Sequence, residues 1–99
     1  MLREPRLTSS AKAWSVAVIG IIVENPEATA RLNEILHEYG TYIIGRMGIP
    51  YRKRGISVIS VVIDAPQDAI SAMSGKLGRL DGVTAKAAYS NYIFSEDQA

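Results

Sequence analysis

This 99-residue sequence predicts an α+β domain in the chain order βαββαβ, a four-stranded antiparallel sheet with two helices on one face. Three observations carry the prediction. Trp14–Glu24 is almost wholly apolar and rich in valine and isoleucine, as a strand buried on both faces requires. Two apolar stripes of helical period, opened by Pro26 and Pro66, follow the first and third strands. Between them, Thr41–Asp64 reads as two strands joined by the basic turn Pro50–Gly55.

In the first strand Trp14, Val16, Val18 and Ile22 point to one face, and Ala17, Ile19, Ile21 and Val23 to the other. Asn25-Pro26 starts a helix: a capping side chain, then proline at the first helical position, with Glu27 in the favourable first turn. Ala28, Leu32, Ile35, Leu36 and Tyr39 make its apolar stripe over 26–39, and Gly40 is expected to stop it in a left-handed conformation. The hairpin strands fall near 41–49 and 56–64. Pro66 opens the second helix, whose stripe is Ala69 or Ile70, Met73 and Leu77. Gly75 and Gly78 interrupt its last turns at up to about 1 kcal/mol each. They are read as permitting close helix–sheet or subunit approach. Asp81-Gly82 is a turn, and Val83, Ala85, Ala87 and Tyr89 alternate with polar or small residues in a last strand that Tyr92, Ile93 and Phe94 extend. Residues 1–13 read as a mobile polar tail, 14–94 as the domain and 95–99 as a disordered end.

Composition narrows the function. A net charge of +1 gives no strong field for nucleic acid or an anionic membrane. The absence of cysteine excludes disulfides, thiolate metal sites and cysteine nucleophiles. The apolar run Val16–Val23 is too short to span a bilayer, and Met1–Ala13 lacks the apolar core of a secretory signal. A cytoplasmic single domain is expected. A domain of this size buries only roughly 60% of its unfolded surface, so a partner subunit would help its stability.

The element order is the split βαβ repeat of ferredoxin-like domains, with spatial strand order 4-1-3-2. The helices cover one apolar face. On the other, Val16, Val18, Ile22, Ile56, Val58 and Val62 would leave a patch that monomers rarely expose, so a homodimer or homotetramer through this face is expected. The same topology brings the start of helix one, the hairpin turn and the end of helix two to one end of the sheet. That gathers Asn25, Tyr51, Arg54 and Lys76 and suits a small anion or carboxylate.

Four segments resemble the small ACT-like proteins named as regulators of the iron-only hydrogenase system, whose fold is like the ligand-sensing C-terminal domain of the nickel-responsive repressor. They are Val18–Asn25, Asn33–Gly40, Ile43–Tyr51 and Ser74–Gly78, within a likeness running from about Val16 to Tyr89. The resemblance implies an oligomeric effector-sensing domain linked to hydrogenase maturation or its regulation, with no known effector. The nickel repressor carries a ribbon-helix-helix DNA reader ahead of its sensing domain. Only about 13 polar residues precede strand one here, so any transcriptional role is expected to run through a DNA-binding or maturation partner protein.

Arg46, between Gly45 and Gly48, either clamps a carboxylate or phosphate bidentately or pairs with an acid across a subunit interface. Arg52-Lys53-Arg54 reads as a solvated hairpin tip, with anion capture or nucleic-acid contact as the alternatives. An RNA platform of this fold needs stacking aromatics on strands one and three, and strand three has none. His37 is the only histidine, beside Glu34 and Glu38, and reads as a solvated surface residue; a metal site would need carboxylates from another subunit. Ser74–Gly78 fails the Walker pattern because it ends a helix. Asp64 is an isolated acid, and no nucleophile stands with a base, so no catalysis is expected. The expected function is a non-enzymatic sensing domain, without cofactor or metal, that binds a small anionic ligand between subunits through Asn25, Arg46, Tyr51, Arg54 and Lys76. The alternatives are a metal-responsive sensor and a structural adaptor for another protein.

Overall fold

The computed structural model describes residues 13–95. Strand β1 (Ala13–Val23) is followed by a 3-10 turn (Pro26–Ala28) and helix α1 (Thr29–Glu38). Strands β2 (Ile43–Tyr51) and β3 (Ile56–Pro66) form the hairpin, and helix α2 (Gln67–Gly78) leads to β4 (Val83–Tyr89). The spatial order is β2-β3-β1-β4, every pairing antiparallel, as the βαββαβ reading requires. A short β5 (Phe94–Ser95) pairs with Ala13–Trp14 beyond the end of β4. After a last bond from the Ser90 N–H to the Val16 carbonyl at 2.8 Å, the chain leaves the sheet over Asn91–Ile93 and rejoins it, where the sequence suggested one continued strand. The expectations for 1–12 and 96–99 lie outside the described residues; Ala13 and Ser95, assigned to those ends, are Cα partners.

Period-two alternation divides β1 and β3 as expected. Ala17, Ile19, Ile21 and Val23, with Val61, Ile63 and Ala65, are buried under the helices. Leu32, Ile35 and Leu36 of α1 and Ile70, Met73 and Leu77 of α2 close that core. Each such large side chain contributes about 1.5–3 kcal/mol on leaving water. Trp14 packs edge-on to Tyr42 at 5.8 Å between ring centroids, closing the end of the sheet where α2 begins.

Asn25 caps the first helical segment as its sequence position predicts: Asn25 Oδ1 accepts from the Glu27 N–H at 3.1 Å, and Pro26 follows it. That side-chain cap and the Ala28 N–H to Asn25 carbonyl bond of 3.0 Å hold the first turn as 3-10, so the α-helix proper begins only at Thr29. Two glycine expectations need correction. Gly40 is not left-handed; it opens a 3-10 turn with Thr41 and Tyr42, and among the described residues only Gly55 and Gly82 have positive φ. The helix–sheet half of the expectation for Gly75 and Gly78 also fails: within the protomer a Cβ on Gly75 would touch only the Arg79 guanidinium, and one on Gly78 would meet nothing within 4 Å. No helix among the described residues is long and apolar enough to cross a membrane.

Candidate functional site

Strand β2 decides what each side of the sheet presents. Ile43 stands opposite Ile63, and Gly45 stands opposite Val62, so Ile44 is an extra residue in the ladder. Directly opposed residues share a face, and a bulge inverts the phase of everything after it. With unbroken alternation from core-facing Ile43, Arg46 would point to the open side. The bulge instead sets Arg46 opposite core-facing Val61 and turns it to the helix side, where its Nη2 reaches Asn33 Oδ1 at 3.4 Å.

The same inversion sends Met47, Ile49 and Tyr51 to the open face. Three rows then cross that face: Ile49–Val58–Ile22–Thr84, Met47–Ser60–Gly20–Lys86 and Gly45–Val62–Val18–Ala88. The six residues singled out for assembly, Val16, Val18, Ile22, Ile56, Val58 and Val62, all lie on this side by register. Val18 is 44% exposed, Ile22 40% and Met47 61%, so the centre of the sheet is apolar and uncovered in the protomer. Alternation within Met47-Gly48-Ile49-Pro50-Tyr51 carried the signal for the β2 contribution, but the glycines and arginine drew the reading elsewhere.

The five candidate ligand residues do not converge. Two of the three expected segments approach one another: Pro26 and Thr29 face Arg52, Gly55 and Ser57 across a groove of about 190 Å³, and near them it is the turn residue Gly82, beyond the end of α2, that abuts Asn25. The side chains, however, are separately engaged. Asn25 caps the helix and sends its Nδ2 towards the Asp81 carbonyl at 3.5 Å. Tyr51 lies on the open face opposite Ile56. Arg54 is exposed in the 3-10 turn at the hairpin tip. Lys76 turns to α1 instead, where its Nζ is 3.4 Å from Glu38 Oε1 and 5.2 Å from the centre of the Tyr39 ring. The expected gathering of Lys76 with the hairpin fails because the last residues of α2 pack beside the end of α1.

Arg46 belongs to a second, larger groove of about 380 Å³ between α1 and β2, lined by Asn33, Leu36, His37, Gly40, Ile43 and Arg46. Asn33 and His37, four residues apart, rise from the same flank of α1. The two acids of α1 are taken up elsewhere: Glu34 pairs with Arg31 at 3.1 Å, and Glu38 with Lys76. Among the described residues Arg46 has no carboxylate partner, and no three histidine or acidic side chains stand close enough to hold a metal ion.

The profile of a family described as "TM1266-like: Iron-only hydrogenase system regulator, putative" matches residues 15–87. The chain belongs to this family. The match spans both helices and nearly all of the four-stranded sheet, which places the open face and the Arg46 groove inside the family's own domain. The structure of TM1266 from Thermotoga maritima, an uncharacterised protein, superposes with a TM-score of 0.74 at 32% identity, covering 77% of this chain and 96% of that one. Part of a formyltetrahydrofolate deformylase from Pseudomonas putida KT2440 shares the fold, with a TM-score of 0.57 at 13% identity over 78% of this chain and 29% of that one. The apo form of CPII from Thiomonas intermedia K12, a nitrogen regulatory PII-like protein, does so at 0.51 and 9% identity over 87% and 98%. No curated protein matches the chain.

Proposed function

We propose that this TM1266-like protein is a non-enzymatic, homo-oligomeric regulatory domain of the iron-only hydrogenase system, assembling through its open sheet face and sensing a small anionic ligand. The observation that supports it most is the uncovered apolar centre of that face, Val18, Ile22, Val58, Met47 and Ile49. Gly20 sits in its middle, and a Cβ there would meet nothing within 4 Å. Nothing among the described residues calls for glycine at that point, whereas a second sheet closing on it would. Asp64 and Lys86 lie on the same face by register, one acid and one base without ion-pair partners among the described residues. In a face-to-face pair these opposite charges would be available to pair between copies. Any transcriptional output would pass through a partner protein, in the cytoplasm.

The test is light scattering of the purified chain at micromolar concentration, with Ile22→Glu beside it. A dimer or tetramer that Ile22→Glu reduces to a folded monomer is expected. A wild-type monomer refutes the assembly. A structural adaptor is the second reading; it uses the same face for another protein and gives no thermal shift with amino acids, nucleotides or divalent metals.

A further inference from the structure

We infer that the groove between α1 and β2 is a binding site for a small monocarboxylate with an apolar tail, its carboxylate held by Arg46 and Asn33. The inference rests on the ligand-sensing reading above but sets the ligand on the helix side of the sheet, within one protomer and away from the open face.

The bulge at Ile44 is the first reason. It costs the sheet a paired residue, and its one effect on Arg46 is to take that side chain from the open face to the groove. Bulges re-aim side chains in this way beside functional sites. The second reason is unspent charge. The acids of α1 are engaged by Arg31 and Lys76, and Arg46 touches only the neutral Asn33 oxygen at a long 3.4 Å. A guanidinium carries five donors in a planar fork suited to a carboxylate, and most of that fork is unused here. The Asn33 amide nitrogen and the His37 imidazole supply further donors on the same flank. The third is the floor. Leu36 is buried and Ile43 is half-buried beneath the groove, with Gly40 at its end adding no side chain. An aliphatic tail lies against them while the carboxylate stays at the rim. The volume of about 380 Å³ admits a small molecule rather than a chain segment.

Isocaproate is the probe, with the uncharged isocaproamide as its match, each titrated into the 15N-labelled chain and followed by amide chemical shifts. Isocaproate is expected to move the amides of Asn33, His37, Gly40 and Arg46 saturably, leaving Val18 and Val58 unmoved. Isocaproamide moves none of them. Arg46→Gln weakens isocaproate at least tenfold, and Arg46→Lys retains part of the affinity, both variants keeping the wild-type melting temperature within a few degrees. The site is overturned if isocaproate produces no saturable shift, if isocaproamide shifts the same amides equally, or if Arg46→Gln binds as wild type does. Light scattering on the same samples separates the two readings. An oligomer without isocaproate binding refutes this site and leaves assembly standing; a monomer that binds isocaproate does the reverse.

Discussion

Gly82 and Asn25 interlock so closely that a Cβ on the glycine would lie 2.5 Å from the asparagine Cβ and 3.1 Å from its backbone nitrogen. The neighbouring Glu24 N–H donates to the Gly82 carbonyl at 2.7 Å, so the exit of β1 and the entry to β4 are tied at one point. Gly82 also has φ +74°. Gly82→Ala therefore meets both left-handed strain, about 1–2 kcal/mol, and overpacking of about 1–3 kcal/mol. Its melting temperature is expected to fall by about 10 °C or more. Thermal unfolding followed by circular dichroism checks this, and a fall of only a degree or two refutes the interlock.

Asn25 has a second task, the cap on the Glu27 N–H. Asn25→Ala is expected to cost about 1 kcal/mol, and Asn25→Asp, which keeps an acceptor oxygen, much less. Urea midpoints of the two variants measure the difference. Equal losses would assign Asn25's side-chain contribution to its Nδ2–H on the Asp81 carbonyl, which both variants lack.

Gly20 separates protomer from assembly. Valine there raises strand propensity and has room in the free protomer, but it fills the centre of the open face. Gly20→Val is expected to run as a monomer in light scattering with an unchanged far-ultraviolet spectrum. Wild-type assembly by this variant would show that the face is not closely packed.

The last turn of α2 offers a stabilising change. A Cβ on Gly78 meets nothing, and its φ is not positive. Gly78→Ala removes backbone freedom from the unfolded chain and is expected to add about 0.4–1 kcal/mol, visible as a higher urea midpoint. A lower midpoint would mean that something else contacts this turn.

Lys76 gives a pH signature. The Tyr39 phenol first, and Glu38 after it, raise its pKa above the ordinary value of 10.5, against a smaller opposing effect of burial. The folded state thus holds this proton more tightly than the unfolded chain. The resulting stabilisation is complete below the unfolded value and is lost as pH rises through the folded one. The gap in urea midpoint between wild type and Lys76→Met is expected to stay level from neutral pH and to close above about pH 10.5. A gap that instead closes on acidification below neutral would assign it to Glu38 alone.

The strand faces were legible because β1 and β3 alternate without interruption, so that Ile19 and Ile22 could be sent to opposite sides from spacing alone. The cap at Asn25 was legible because asparagine before proline has few other uses. The groove was not. Ile43-Ile44-Gly45-Arg46 is compatible with plain alternation, and nothing in those four residues marks which isoleucine is the unpaired one. Asn33 had no signal beyond its spacing from His37. Lys76 was misplaced because topology assigns a residue to an end of a helix without saying towards which neighbour a long side chain will lean.

The unpaired Ile44 lets β2 absorb a change in length that a regular strand could not. Deleting that one residue would bring Gly45 directly after Ile43, close the ladder into unbroken alternation, and leave Arg46 on the helix side and Met47 and Ile49 on the open face. Drawing Ile44 into the ladder opposite Val62 would do the opposite: Arg46 would be carried into the apolar sheet surface, and Met47 and Ile49 would be driven towards α1. A frame-preserving loss of the Ile44 codon is therefore tolerated, whereas a slip of register at the same point would damage both proposed activities together.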